Sequence, residues 1–107
     1  MTKTTDGFVM AARVGEIPPG GVKVVRLDER EVAIFNLGGE YNAMDDLCTH
    51  DGGPLAEGVI EGGVIECPRH GARFDIRTGA VLAMPATAPV PTYAVKVVGD
   101  EIRVEWS

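Results

Sequence analysis

The sequence predicts an all-β domain, an antiparallel sandwich or barrel that carries a loop-rich, metal-binding unit. Three observations lead to this prediction. Several short segments alternate apolar and polar residues with the period of half-buried strands. Fourteen glycines and seven prolines in 107 residues indicate many tight turns. No segment longer than about ten residues shows helical periodicity.

The first half of the chain predicts four strands. They span residues 8–14, 21–27, 31–37 and 40–44. Pro18-Pro19-Gly20 ends the first strand, Asp28-Glu29-Arg30 joins the second to the third, and Gly38-Gly39 joins the third to the fourth. The last three of these strands therefore predict two successive hairpins.

The last two predicted strands, residues 92–98 and 102–106, form a hairpin around Gly99-Asp100. Each presents one apolar face, made by Tyr93, Val95 and Val97 in the first strand and by Ile102, Val104 and Trp106 in the second. Packing of two sheets should bury such faces, together with Ile34 of the earlier strands.

Residues 48–82 depart from simple alternation. This stretch is rich in glycine and contains both cysteines and both histidines of the chain. Residues 55–59 predict at most one helical turn. We interpret the stretch as a compact, loop-rich unit on a β scaffold.

Composition and charge exclude several classes of protein. With 16 acidic and 10 basic residues the net charge is −6, and no basic run is present, so a nucleic-acid partner is not expected. No apolar run approaches the roughly 18 residues of a membrane span, and residues 1–7 include no apolar stretch long enough for a signal peptide. We therefore expect a cytoplasmic protein with no membrane partner, and a chain of this length forms one domain.

Two short motifs can bind a metal: Cys48-Thr49-His50 and Cys67-Pro68-Arg69-His70, with 16 residues between His50 and Cys67. Thiolates suit iron in a sulfide cluster, and imidazole also ligates iron. Glycines follow both motifs and let the backbone turn closely around sulfur. A structural zinc site can use the same four residues, but zinc sites usually pair cysteine with cysteine and histidine with histidine. The alternation therefore favours an iron–sulfur cluster.

The pattern Cys-x-His, sixteen residues and Cys-x-x-His resembles that of the Rieske family. The similarity extends over residues 48–55 and 67–75 and over Arg77-Thr78-Gly79. Met84-Pro85-Ala86 resembles the third, proline-bearing loop that covers the cluster in this family. The resemblance implies one Rieske domain over residues 1–107, with cluster-binding loops at about residues 46–56 and 66–76. It also implies one 2Fe–2S cluster, with Cys48 and Cys67 on the buried iron and His50 and His70 on the outer iron.

The same resemblance implies a one-electron carrier and not an enzyme, and the chain contains no catalytic triad or phosphate-binding loop. It is similar to the small soluble ferredoxins of bacterial aromatic-ring dioxygenase systems. The expected partners are a flavin-dependent ferredoxin reductase and a terminal oxygenase or other redox enzyme, and we expect the free chain to be monomeric. Two alternatives stay open: a small subunit of a larger enzyme such as a nitrite reductase, and a redox sensor.

The resemblance also leads to predictions about docking and potential. Electron transfer should occur near the outer iron, at a surface formed by His50, Asp51, Gly52, His70, Met84 and Pro85. The arginines close to the motifs, Arg69, Arg73 and Arg77, are further candidates for partner contacts. High-potential Rieske proteins place a serine and a tyrosine hydroxyl near the cluster sulfurs. Here the equivalent positions are Ala72 and Phe74, which predicts a low potential.

Overall fold

The computed structural model describes residues 7–48, 53–68, 71–84 and 88–106. Within these ranges the chain forms eleven β-strands, one 3₁₀ turn at Val14–Glu16 and no α-helix. The prediction of an all-β fold is therefore confirmed. No helix in this part of the chain is long and apolar enough to cross a membrane.

All of the strand pairs are antiparallel and fall into three sheets. The strands are β1 (Phe8–Arg13), β2 (Val22–Leu27), β3 (Arg30–Leu37), β4 (Glu40–Asp45), β5 (Val59–Glu61), β6 (Val64–Glu66), β7 (Arg73–Asp75), β8 (Val81–Ala83), β9 (Thr92–Tyr93), β10 (Val95–Val98) and β11 (Glu101–Glu105). The sheet orders are β1-β11-β10, β2-β3-β4-β9 and β5-β6-β7-β8.

The predicted hairpins are present, and their turns explain why these residues occupy them. Gly38 and Gly39 join β3 to β4 with φ values of 66° and 100°, in the region that glycine adopts without steric cost. The β2–β3 turn is shorter than predicted, because Arg30 already belongs to β3. Its first residue, Asp28, has a φ of 57°, which aspartate tolerates better than most residues do.

The predicted strand over residues 92–98 is wrong in one respect, because it divides into β9 and β10. β9 pairs with β4, whereas β10 pairs with β11 in another sheet. The chain changes sheets at Ala94, whose carbonyl still accepts the Glu105 N–H at 2.9 Å. The predicted apolar face is also only partly buried. Val95 is half-buried and Val97 is 46% exposed, because β10 is the outer strand of its sheet.

The four-stranded sheet β5–β8 was not predicted and is a correction to the loop-rich interpretation of residues 48–82. Each of its strands has three residues, which is too short for a clear alternating pattern. One signal was available, since Val59-Ile60-Glu61 is repeated as Val64-Ile65-Glu66 around Gly62-Gly63. Before β5 the chain makes one turn, closed by the Gly58 N–H donating to the Leu55 carbonyl at 2.9 Å, and Val59, the end of the predicted helical turn, already belongs to β5.

Two hydrophobic clusters lie on opposite faces of β3, whose residues 32–35 are fully buried. Alternate side chains, Val32 and Ile34, belong to the cluster shared with β1 and β11, which includes the buried Val104. The intervening Ala33 and Phe35 belong to the cluster shared with the β5–β8 sheet. β3 is therefore the central strand, and it joins the β scaffold to the unit that contains both cysteines.

Candidate metal centre

Both cysteines lie in one buried cluster. Cys48 is 0% exposed and Cys67 is 1% exposed, and they share the cluster with Leu55, Ala72 and Phe74. No disulfide joins these two thiols, both of which belong to the part of the chain that the structure describes. The fold therefore brings together the two soft ligands that the motifs predicted.

The two cysteine loops have the same main-chain closure. The Cys48 N–H donates to the Gly53 carbonyl at 2.7 Å, and the Cys67 N–H donates to the Ala72 carbonyl at 2.7 Å. Each bond therefore runs from a cysteine to the residue five positions later, although the two motifs space their histidines differently. In the second loop the Gly71 N–H also donates to the Cys67 carbonyl at 3.2 Å, and Gly71 has a φ of 77°. Each loop thus turns the backbone back around a buried thiol.

A turn after the second loop fastens the returning chain. The Asp75 carboxylate accepts the N–H groups of Arg77 at 2.8 Å and Thr78 at 3.2 Å. Gly79 follows with a φ of 77°, and a Cβ at this position would lie 2.0 Å from the Val90 carbonyl oxygen. The Val90 N–H donates to the Gly79 carbonyl at 2.9 Å. This close backbone contact requires glycine and holds the segment that follows the predicted third loop.

The structure describes only some of the remaining predicted site residues. His50 and His70 lie outside the described residues, as do Asp51, Gly52, Arg69, Pro85 and Ala86. Met84 is 81% exposed, as a docking residue should be. Two of the candidate arginines are in ion pairs, Arg73 with Glu66 and Arg77 with Glu40, each at 2.8 Å. Hydrogen bonds from Asn42 and Arg77 hold the pKa of Glu40 below its usual value.

Two acidic residues at the end of β4 were missed by the sequence analysis. The Tyr93 hydroxyl donates to Asp45 Oδ1 at 2.5 Å and accepts from Arg30 Nη1 at 3.0 Å. Burial and the bond to Asp45 raise the pKa of Tyr93. Asp46 Oδ1 accepts the N–H groups of Leu55 and Ala56, beyond the first cysteine loop. The signal that could have indicated these residues is the acidic pair at the end of a predicted strand, whose second member, Asp46, lies two residues before the candidate ligand Cys48.

The chemistry of the donor set fits an iron–sulfur cluster. Both thiols are shielded from water in an apolar cluster, where a sulfide-bridged metal centre is stable and a solvated ion is not. In the described ranges no group of three or more His, Cys, Asp or Glu side chains could hold a metal ion, and two of the four predicted ligands lie outside those ranges. An antiparallel β domain that buries two thiols in one apolar cluster can thus hold a metal cluster.

Comparisons with known proteins identify the class. The family described as Rieske [2Fe-2S] domain matches residues 7–94. The chain is 39% identical over 103 residues to the ferredoxin component of the naphthalene 1,2-dioxygenase system of Pseudomonas aeruginosa, covering 96% of this chain and 99% of that protein.

Solved structures agree. The ferredoxin of carbazole 1,9a-dioxygenase from Nocardioides aromaticivorans IC177 matches with a TM-score of 0.89 and 37% identity, over 94% of this chain and 98% of that one. A chain in the complex of reduced oxygenase and oxidised ferredoxin of carbazole 1,9a-dioxygenase matches with a TM-score of 0.86 and 32% identity, over 92% and 93% of the two chains. The chain belongs to the Rieske family. It carries one 2Fe–2S cluster and is an electron-transfer protein, not an enzyme by itself.

Proposed function

We propose that this chain is the ferredoxin component of an aromatic-ring dioxygenase system. It accepts one electron at a time from a flavin-dependent reductase and delivers it to a terminal oxygenase. The observation that carries this proposal is the match over almost the full length of both chains to a ferredoxin component of such a system. The fold agreement with a dioxygenase ferredoxin supports it independently.

The proposed ligands are Cys48 and Cys67 on the inner iron and His50 and His70 on the outer iron. The proposed domain covers residues 1–107, with cluster-binding loops at about residues 46–56 and 66–76. When bound, the cluster supplies a one-electron redox couple. Because two ligands are neutral imidazoles, its potential lies above that of an all-cysteine cluster. Burial of the two thiols supports their assignment to the inner iron.

The chain's own residues would keep water from the inner half of the site and leave the outer half accessible. Leu55, Ala72 and Phe74 surround the site with apolar side chains and are fully buried. Met84, 81% exposed, is the first residue of the predicted third loop and provides an apolar contact for a partner. Docking at the surface around Met84 brings the partner's redox group closest to the outer iron. A cytoplasmic location and a monomeric free state remain predictions.

Stopped-flow mixing tests the proposal. The reduced protein is mixed without oxygen with an oxidised aromatic-ring oxygenase, and the absorbance of both centres is followed. We expect fast, stoichiometric reoxidation, and steady reduction by a flavin-dependent ferredoxin reductase with NADH. The proposal would be contradicted if the protein holds its cluster but exchanges electrons with neither of these partners, and exchanges them with the flavoprotein subunit of a nitrite reductase instead.

A further inference from the structure

The two cysteine loops differ in how their bases are held. The second loop joins β6 to β7, which pair with each other through Glu66 and Arg73 at the base of the loop. The Arg73 Nε also donates to Glu66 Oε1 at 2.8 Å. The first loop connects β4 to β5, and these strands lie in different sheets, so among the residues that the structure describes no strand ladder closes its base.

A single carboxylate closes the base of the first loop instead. Asp46 Oδ1 accepts the N–H groups of Leu55 and Ala56, each at 2.7 Å. The main-chain N–H of Asp46 donates to the Glu31 carbonyl at 2.9 Å, which fixes this residue to β3. Asp46 thus ties the residues after the loop to the central strand of the scaffold.

The surroundings explain why a charged acceptor is used here. Leu55 is fully buried, and a buried N–H group needs a hydrogen-bond acceptor. A carboxylate that accepts two N–H groups forms stronger bonds than a neutral acceptor does. The same side chain places a carboxylate two residues before Cys48. A negative charge near a redox centre disfavours the addition of an electron.

We propose that Asp46 is a positioning residue of the cluster site, which closes the first ligand loop and lowers the reduction potential of the cluster through its charge. The proposal rests on the proposed ligand role of Cys48. Under this proposal one side chain holds the base of the first loop together, as the β6–β7 ladder holds the base of the second loop. Because the same carboxylate carries the charge, the two effects can be separated by substitution.

Two variants at this position separate the effects. Asp46→Asn keeps an oxygen that can accept both N–H groups but removes the charge. We expect wild-type iron content, a melting temperature of the cluster-loaded protein between those of the wild type and Asp46→Ala, and a midpoint potential above that of the wild type. Asp46→Ala removes the acceptor. We expect faster loss of the visible cluster absorbance in the presence of a chelator and a lower melting temperature of the cluster-loaded protein.

Asp100→Asn is the control. Asp100 lies in the turn between β10 and β11 and pairs with Arg13 in an exposed ion pair. Removing its charge should leave both the midpoint and cluster retention unchanged. The proposal is overturned by an unchanged midpoint in Asp46→Asn, or by an Asp46→Ala protein that keeps its cluster as long as the wild type. If Asp46→Ala fails to fold, Asp46→Asn still decides. These measurements need neither reductase nor oxygenase, so they stand apart from the test of the proposed function.

Discussion

Ala72 and Phe74 share the buried cluster that contains both thiols, and neither side chain carries a hydroxyl. Both residues are 0% exposed. In this environment a hydroxyl on either side chain could donate only to a buried acceptor, and the proposed cluster sulfides are such acceptors. A hydrogen bond to sulfur favours the reduced state, because that state carries more negative charge. The absence of both hydroxyls therefore predicts a potential near the low end of the Rieske range, about −150 mV.

The double variant Ala72→Ser, Phe74→Tyr tests this account of the potential. With about 1–1.5 kcal/mol of difference between redox states per hydrogen bond, the midpoint should rise by about 80–130 mV. Protein-film voltammetry measures the shift. Ala12→Ser adds a buried hydroxyl in the other hydrophobic cluster and should leave the midpoint unchanged. No shift in the double variant would mean that these side chains only fill space.

The sequence predicts the ligand types and the positions of both loops from ligand spacing and flanking glycines, which are local features. Asp46 was beyond its reach. Its hydrogen-bond partners lie nine and ten positions away and belong to a turn whose direction depends on the tertiary fold. An acidic residue before a loop is most often solvated, so composition alone gives no reason to select it.

At the scale of elements, Gly79 is a position where one turn closely approaches another segment. Its φ of 77° disfavours any side chain, and a Cβ would lie 2.0 Å from the Val90 carbonyl oxygen. Gly79→Ala should therefore lower the free energy of unfolding by at least about 2 kcal/mol, measured by urea denaturation. Gly15→Ala is the control, since its Cβ would have no neighbour within 4 Å. Equal stability of the two variants would show that the contact with Val90 is not rigid.

The elements that were predicted and those that were missed differ in length. β2, β3 and β4 have six to eight residues and are separated by clear turn signals, so their length and turn chemistry were sufficient. β5 to β8 have three residues each, and their pairing depends on the cysteine loops that they support. The break at Ala94 has no local signal, because apolar residues on both sides are equally compatible with one continuous strand.

At the scale of the whole molecule, the net charge of −6 predicts how partners approach. An acidic carrier is attracted to a basic docking surface, and salt screens that attraction over about 10 Å at 0.1 M. The second-order rate of electron transfer to the oxygenase should therefore fall as salt rises from low to physiological concentration. The intrinsic transfer rate at saturating partner serves as the control and should change little. A second-order rate that does not change with salt would mean that apolar contacts such as Met84, and not charge, direct docking.

The whole fold also connects the metal site with stability. One of the two hydrophobic clusters contains both cysteines, and β3 contributes side chains to each cluster. A domain of 107 residues buries a modest core, so ligand bonds between two loops add substantially to it. Loss of one inner ligand should therefore release the cluster and weaken the packing around it.

The most direct test of the central claim is to measure iron and acid-labile sulfide in the purified wild-type protein and in Cys67→Ala. The account predicts about two irons and two sulfides per wild-type chain, no stoichiometric zinc, and loss of both iron and sulfide in the variant. Stoichiometric zinc in the wild type, or full iron content in Cys67→Ala, would contradict it.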